Sequence, residues 1–220
     1  MAMNLLMLGP PGAGKGTQAE RFARNRGIPK ISTGDILREA VQAGTEFGKR
    51  AKLVMGRGEL VGDDEMIGIV RERLERKDAM GGFVLDGFPR TVNQASALDI
   101  IMSTRDPLIV VDIVVPEAEL VRRLLMRMVC EECGLTAGGE GERCRDCGGR
   151  LVQRSDDNKA VVLERLKVYL RQTKPLVEYY QARPTFRSVD GSQPTDSVAA
   201  DLVAAIEAAA NGLAAKVARS

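Results

Sequence analysis

Four groups of residues in this 220-residue chain have types and spacings that could do chemistry. The first is Gly9-Pro10-Pro11-Gly12-Ala13-Gly14-Lys15-Gly16-Thr17, entered from the apolar run Leu5-Leu6-Met7-Leu8. An apolar strand, a glycine-rich loop and a lysine at a helix start aim several N–H groups and one ammonium at one small volume, as a phosphate chain requires. The spacing G-x-x-x-x-G-K is that of a phosphate-binding loop, with Gly12, Ala13, Gly14, Lys15, Gly16 and Thr17 as its nucleotide contacts. An ordinary glycine turn between strand and helix is the bland alternative. Gly16 follows the lysine directly and the hydroxyl of Thr17 comes one place later, so a magnesium contact is expected elsewhere.

The second group, Asp86-Gly87-Phe88-Pro89-Arg90, ends another apolar stretch with a carboxylate. Such an aspartate, taken alone, reads as the cap of the next turn. Opposite a phosphate loop it is placed to hold hydrated magnesium. The third group is Arg38, Arg90, Arg123, Arg127, Arg154 and Arg165, spread over segments that a fold could bring to one cleft. Guanidinium forks grip phosphate oxygens in pairs and keep their charge, so a site handling several phosphates collects them. Arg122, Arg145 and Arg150 read as solvated side chains.

The fourth group is Cys130-Glu131-Glu132-Cys133-Gly134 and Cys144-Arg145-Asp146-Cys147-Gly148, two C-x-x-C-G knuckles with ten residues between them. Paired thiolates suit tetrahedral zinc, and the glycines allow turns that aim N–H groups at sulfur. Four protein ligands leave the metal no open position, so its role is structural: it pins a segment too short for its own core. Two reversible disulfides are one alternative, and a nucleic-acid-binding ribbon is another. The segment has few aromatics for stacking, and Glu131, Glu132, Glu140 and Glu142 offset its arginines, which weighs against nucleic acid.

The elements that must position these groups alternate. Strands are expected at the start, at 28–31, 83–86, 108–115 and 186–189. Helices are expected at 17–26, over a stretch from Asp35 to 76 broken at Gly44 and Gly56-Arg57-Gly58, at 93–103, 117–128 and 159–180, and in the alanine-rich end before Ala218-Arg219-Ser220. Asp63 is read as the N-cap of the helix over 66–76, and Pro175 as a disturbance of the long one. Strand–helix alternation implies parallel pairing and right-handed crossovers, hence a three-layer α/β/α sandwich on a parallel five-stranded sheet. The phosphate loop, Thr33, Asp86 and Gly191-Ser192-Gln193 fall at carboxyl ends of strands, where ligands of such sheets sit.

Composition narrows the classes. With 44% hydrophobic residues the chain can bury one main core, and its formal charge of +2, with basic residues dispersed, gives no reason to expect nucleic acid or membrane binding. Residues 1–8 run straight into the loop and read as a core strand rather than a leader. Four cysteines confined to 130–147 without an export signal suggest the reducing cytoplasm, and nothing requires more than a monomer. Histidine is absent, which removes it as base, nucleophile or ligand. Transfer to another phosphate needs no base, because a phosphate monoester with a second pKa of about 6 is already ionised at neutral pH.

The phosphate loop, Ser32-Thr33-Gly34-Asp35-Ile36-Leu37-Arg38, Asp86-Gly87-Phe88-Pro89-Arg90-Thr91 and Asp156-Asp157 before a long helix together resemble the adenylate kinases, of the P-loop NTPase fold, in the form with a zinc-bearing lid. The resemblance runs from about residue 3 to about 205. It implies reversible phosphoryl transfer between ATP and AMP, giving two ADP. It also implies a core of 1–31, 62–127 and 162–220, a helical monophosphate-binding arm at 32–61, and a lid at 128–161. Thr33, Arg38, Gly87, Arg90 and Gln94 would then bind AMP, assisted by backbone near Glu59 and Val61. Lys15 and the loop amides would hold the ATP phosphates, Arg123 would cover the ATP adenine, and the Gln193 backbone would touch it. Arg127, Arg154 and Arg165 would surround the transferring group, and Asp86 would hold magnesium through water. The span between knuckles is shorter than such lids usually have. A kinase for UMP or CMP is the nearer rival, although those enzymes tend to carry alanine where Thr33 stands. A nucleotide-dependent zinc-ribbon module is the rival from another class.

Overall fold

The structure is a computed structural model that describes residues 2–137 and 141–217; Glu140 and Ala218-Arg219-Ser220 lie outside it. In chain order the elements begin with β1 (Met3–Leu8), α1 (Lys15–Arg26) and β2 (Lys30–Ser32). Three helices follow, α2 (Thr33–Gln42), α3 (Glu46–Gly56) and α4 (Asp63–Leu74), then β3 (Gly82–Asp86), α5 (Val92–Met102), β4 (Leu108–Val114) and α6 (Glu117–Leu125). The cysteine insert contributes β5 (Met128–Cys130), β6 (Thr136–Ala137) and β7 (Leu151–Gln153). Then come α7 (Lys159–Val168), a π-helical segment (Tyr169–Thr173), α8 (Pro175–Gln181), β8 (Phe186–Asp190) and α9 (Thr195–Val217).

The main sheet is five-stranded in the order β2-β3-β1-β4-β8, and every pairing in it is parallel. Both faces are covered, which is why its central strands are apolar throughout rather than alternating. On one face Leu6, Phe83, Leu85 and Val110 pack with Leu98 and Tyr180 from α5 and α8. On the other, Leu5, Val84, Ile109 and Val111 meet Phe22 of α1 and Leu202 and Ile206 of α9. The expected three-layer sandwich is the observed fold. No helix among the described residues is long and apolar enough to cross a membrane.

Several boundaries differ from the sequence reading. Helix α1 starts at Lys15 rather than Thr17, and α2 at Thr33 rather than Asp35, because Gly14 and Ser32 serve as the caps. Asp63 is not a cap: Gly62 holds that position, and the Asp63 carboxylate instead accepts from Thr91, Asn93 and Gln94. The long helix is split. Pro175 has no N–H to return to the preceding turn, and the ladder widens just before it, with Lys174 N–H reaching Tyr169 O at 2.8 Å.

Candidate active site

The carboxyl ends of β1, β2 and β3 open into one cleft of about 2210 Å³, roofed by the cysteine insert and flanked by α2. The loop from Gly9 to Gly14 forms its floor. Gly14 caps α1 in the left-handed conformation (φ 93°) and offers no side chain to the first turn, which also lacks acidic residues. The first N–H groups of α1 are thus left for an anion. Lys15 Nζ folds back onto Gly9 O (2.8 Å) and Pro10 O (2.9 Å). A methyl group at Gly16 would lie 3.4 Å from Asp86 Oδ2, so that carboxylate stands against the residue after the lysine. An acidic oxygen facing the phosphate loop is a suitable donor for a hard divalent cation.

Cations dominate the cleft around Lys15. Burial lowers the Lys15 ammonium to about 8; Asp86 works against that, and Arg90, Arg165 and Arg127 add to it. Burial likewise lowers Arg165 to about 10, opposed by Asp156 and reinforced by Arg127 and Arg154. Arg90 moves in the same direction for the same first reason. Side chains held this close at the expense of their own charged forms are completed by a polyanion.

One carbonyl organises the α2 side of the cleft. Gly87 O accepts from Thr33 Oγ1 and from Arg90 Nε, both at 2.8 Å. Thr33, although buried, keeps acceptor capacity on that hydroxyl. Gln94 is buried with both ends of its amide engaged, Oε1 accepting from Arg90 N and Nε2 donating to Asp63 Oδ1, each at 2.8 Å. Arg38, Glu59 and Val61 line the same side, and the Glu59 carboxylate accepts from Arg57 Nε and Nη2. At the other end Arg123 bridges Glu119 (2.9 Å) and Gly191 O (2.9 Å), beside the half-buried Gln193.

Three arginines on the roof side are held by two carboxylates. Arg127 grips Asp157 with two bonds of 2.7 and 2.5 Å, and Arg154 grips Asp156 at 3.0 and 2.8 Å. Arg165 reaches both, at 3.1 Å to Asp156 and 3.0 Å to Asp157, and Asp157 is fully buried. Burial raises Asp156, but Arg154 and Arg165 outweigh it and hold its carboxyl at about 2. Sequence reasoning quoted Asp156-Asp157 as a motif without giving the pair a task. It gave no site role to Glu119, Lys30 or Asp35, and took Asp63 for a helix cap. Alternating charge around Arg154 was the available signal for the pair, and helical spacing to Arg122 and Arg123 and to Arg38 was the signal for Glu119 and Asp35; only Asp63 finds its partner far along the chain, at Gln94.

The four cysteines are free thiols whose Sγ atoms all fall within 4.8 Å of one another, with edges of 3.4 Å (Cys130–Cys147) and 3.6 Å (Cys133–Cys144). Ligands of a tetrahedral zinc ion at roughly 2.3 Å would stand about 3.8 Å apart, so the set can hold a metal ion with little adjustment. Both knuckles close alike: Gly134 and Gly148, at φ 71° and 75°, donate to the carbonyls of Cys130 and Cys144. N–H groups of Cys147 and Asp146 pull the Cys144 thiol down to about 7. A methyl group at Gly149 would sit 2.8 Å from Cys130 Sγ, so the second knuckle presses directly on the first.

The family model described as Adenylate kinase matches residues 7–185. An adenylate kinase of Archaeoglobus fulgidus is 48% identical over 213 residues, covering 93% of this chain and 98% of the relative. One of Desulforamulus reducens is 46% identical over 214 residues (93% and 100%), and one of Bacillus thuringiensis 48% over 208 (91% and 96%). With matches that span the core, the cleft and the cysteine insert together, the chain belongs to the adenylate kinase family.

Proposed function

We propose that the enzyme moves the γ-phosphoryl group of ATP to AMP, giving two ADP, and that the cleft residues divide this work. The crowding of Lys15, Arg90, Arg127 and Arg165 around one volume carries this reading. Two nucleotides bring enough phosphate charge to satisfy it, and a single small anion does not. The α1 N–H groups, Lys15 and the loop from Gly12 to Thr17 hold the ATP phosphates, with Arg123 and the Gln193 backbone at its adenine. Thr33, Arg38, Gly87, Arg90 and Gln94 hold AMP, with backbone near Glu59 and Val61. Gln94 exchanges an internal partner for the base.

An oxygen of the AMP phosphate forms the new bond to the γ-phosphorus while the bond to the β–γ bridging oxygen breaks. The acceptor arrives ionised, so no side chain need remove a proton, in keeping with a chain without histidine. Lys15, Arg90, Arg127, Arg154 and Arg165 neutralise charge on the equatorial and leaving oxygens. Asp86 holds magnesium through water, and that ion, when bound, screens the donor phosphates.

On the same reading residues 32–61 form an arm and 128–161 a lid, which exclude water when they close. Cys130, Cys133, Cys144 and Cys147 hold zinc, and the enzyme acts as a monomer in the cytoplasm. A coupled assay with AMP, UMP, CMP and GMP as acceptors tests the substrate: AMP should lead by orders of magnitude, and a preference for UMP would overturn the choice. Arg90→Ala should cut turnover at least about a hundredfold.

A further inference from the structure

Lys30 opens the edge strand β2, and the roles assigned so far leave it without a task. Its ammonium lies 3.1 Å from Glu20 Oε2 on α1 and 3.2 Å from Asp35 Oδ2 on α2, with the side chain 21% exposed. The other oxygen of Asp35, Oδ1, accepts from Arg38 Nη2. That guanidinium lies over Gly34, where a methyl group would stand 3.1 Å from Nη2. Asp35 thus carries two cations, one on each oxygen, and Ser32 Oγ fixes its backbone N–H at 3.3 Å. Burial raises the Asp35 carboxyl, but Arg38 and Lys30 together hold it below the usual range.

A phosphate that takes the Nη2 edge of Arg38 in a two-pronged grip draws that edge away from this carboxylate. A partly buried aspartate that loses its guanidinium is left with an unpaired charge unless a second cation stays. Lys30 is that cation. Its ammonium is shared with Glu20 on the core helix, a competitor for it rather than a requirement.

We propose that Lys30 is a positioning residue for the acceptor nucleotide: it keeps Asp35 neutralised while Arg38 turns to the acceptor phosphate, and so sets how readily Arg38 is released. The inference rests on Arg38 being a phosphate ligand of AMP. Lys30→Gln should raise KM for AMP about threefold to tenfold, with KM for ATP and kcat changed less than about twofold. Lys30→Arg should restore the wild-type value. In an Asp35→Asn background Lys30→Gln should change KM for AMP by less than about 1.5-fold, because no charge remains to be held. Glu20→Gln, which leaves Lys30 to Asp35 alone, should not raise it.

A rise in both KM values with a lowered Tm, an undiminished Lys30→Gln effect on Asp35→Asn, or a raised KM for AMP in Glu20→Gln would each overturn the proposal. Arg38→Ala separates it from the reading beneath. If Arg38→Ala leaves KM for AMP unchanged, the site assignment itself fails. If Arg38→Ala raises it and Lys30→Gln does not, the role of Lys30 alone fails.

Discussion

The phosphate loop and the lid bring cations to one cleft from opposite starting points. Behind the loop stand two apolar layers, with Leu5 and Leu6 of β1 both wholly buried on opposite faces. Lys15 is held by hydrogen bonds to the loop carbonyls of Gly9 and Pro10, and burial works against its charge. The lid has the three short strands β6-β5-β7 and a buried cluster of Cys130, Cys144 and Leu151. Its arginine is held by a carboxylate, and its shape by thiols. A large core can afford a desolvated cation, whereas a small insert must bring its own counter-charge and its own cross-link.

The comparison predicts its own largest effect. Removing the metal with a chelator should unfold the lid, where a structural zinc ion supplies on the order of 10 kcal/mol, and leave the core standing. Activity should vanish while most of the helical circular dichroism and a high-temperature melting step persist. A single cooperative loss of both would show that lid and core are one unit. Cys133→Ser should reproduce the chelated state without chelator.

Next in size is the opposite test. Lys15→Met should lower kcat by about a thousandfold, yet leave Tm within a few degrees, because the substitution removes a buried charge that folding did not favour. Parallel turnover and melting measurements decide it: a large fall in Tm would make the loop as dependent on its cation as the lid is on its metal.

The difference between the two regions also explains what could be read from the chain. The loop, the strand–helix alternation and the knuckles are local or periodic features, so Gly9 to Thr17, the parallel sheet and the two C-x-x-C-G runs were legible as they stood, whereas the strand order was not. Arg127 and Arg165 could be named as cations but not assigned partners, since Asp157 lies 30 residues from the first and 8 from the second. Asp63 was misread as a cap because its true partner Gln94 is 31 positions away. Short-range rules see a carboxylate at a helix start, and only the packing of α4 on α5 shows which donors reach it. Lys30 and Asp35 escaped for another reason: their partners are near in sequence, but one cation serves carboxylates on two different helices, which only the packing of β2 between α1 and α2 shows.

Smaller again is the effect of cutting the link between lid and core. Asp157→Asn leaves Arg127 and Arg165 facing a neutral amide in a buried place and should destabilise the protein by about 3 kcal/mol. For a chain of this size that is roughly 6 to 12 °C in Tm. Chelator should reduce that penalty if Asp157 supports the lid, and leave it unchanged if the pair belongs wholly to α7 and the core.

The smallest effect separates the two regions by pH. Asp156 is held at about 2 in the folded protein against about 3.9 unfolded, so its contribution is complete above pH 4 and disappears as pH falls from about 4 to 2. It amounts to about 2 to 3 kcal/mol at most, and Asp156→Asn should erase that part of the acid dependence. Lys15 titrates at the other end. Its folded value of about 8 lies below the unfolded 10.5, so the unfolded chain binds more protons between those values and this group favours folding more as pH rises. Its ammonium, however, is lost from the empty site through that same window, so ATP affinity measured by calorimetry should weaken above pH 8, with proton uptake on binding. Acid should therefore loosen the lid side of the cleft through Asp156, and alkali should weaken ligand binding at the loop without unfolding it. Lys15→Arg, whose charge does not titrate in this range, should flatten the alkaline limb and leave the acid limb unchanged.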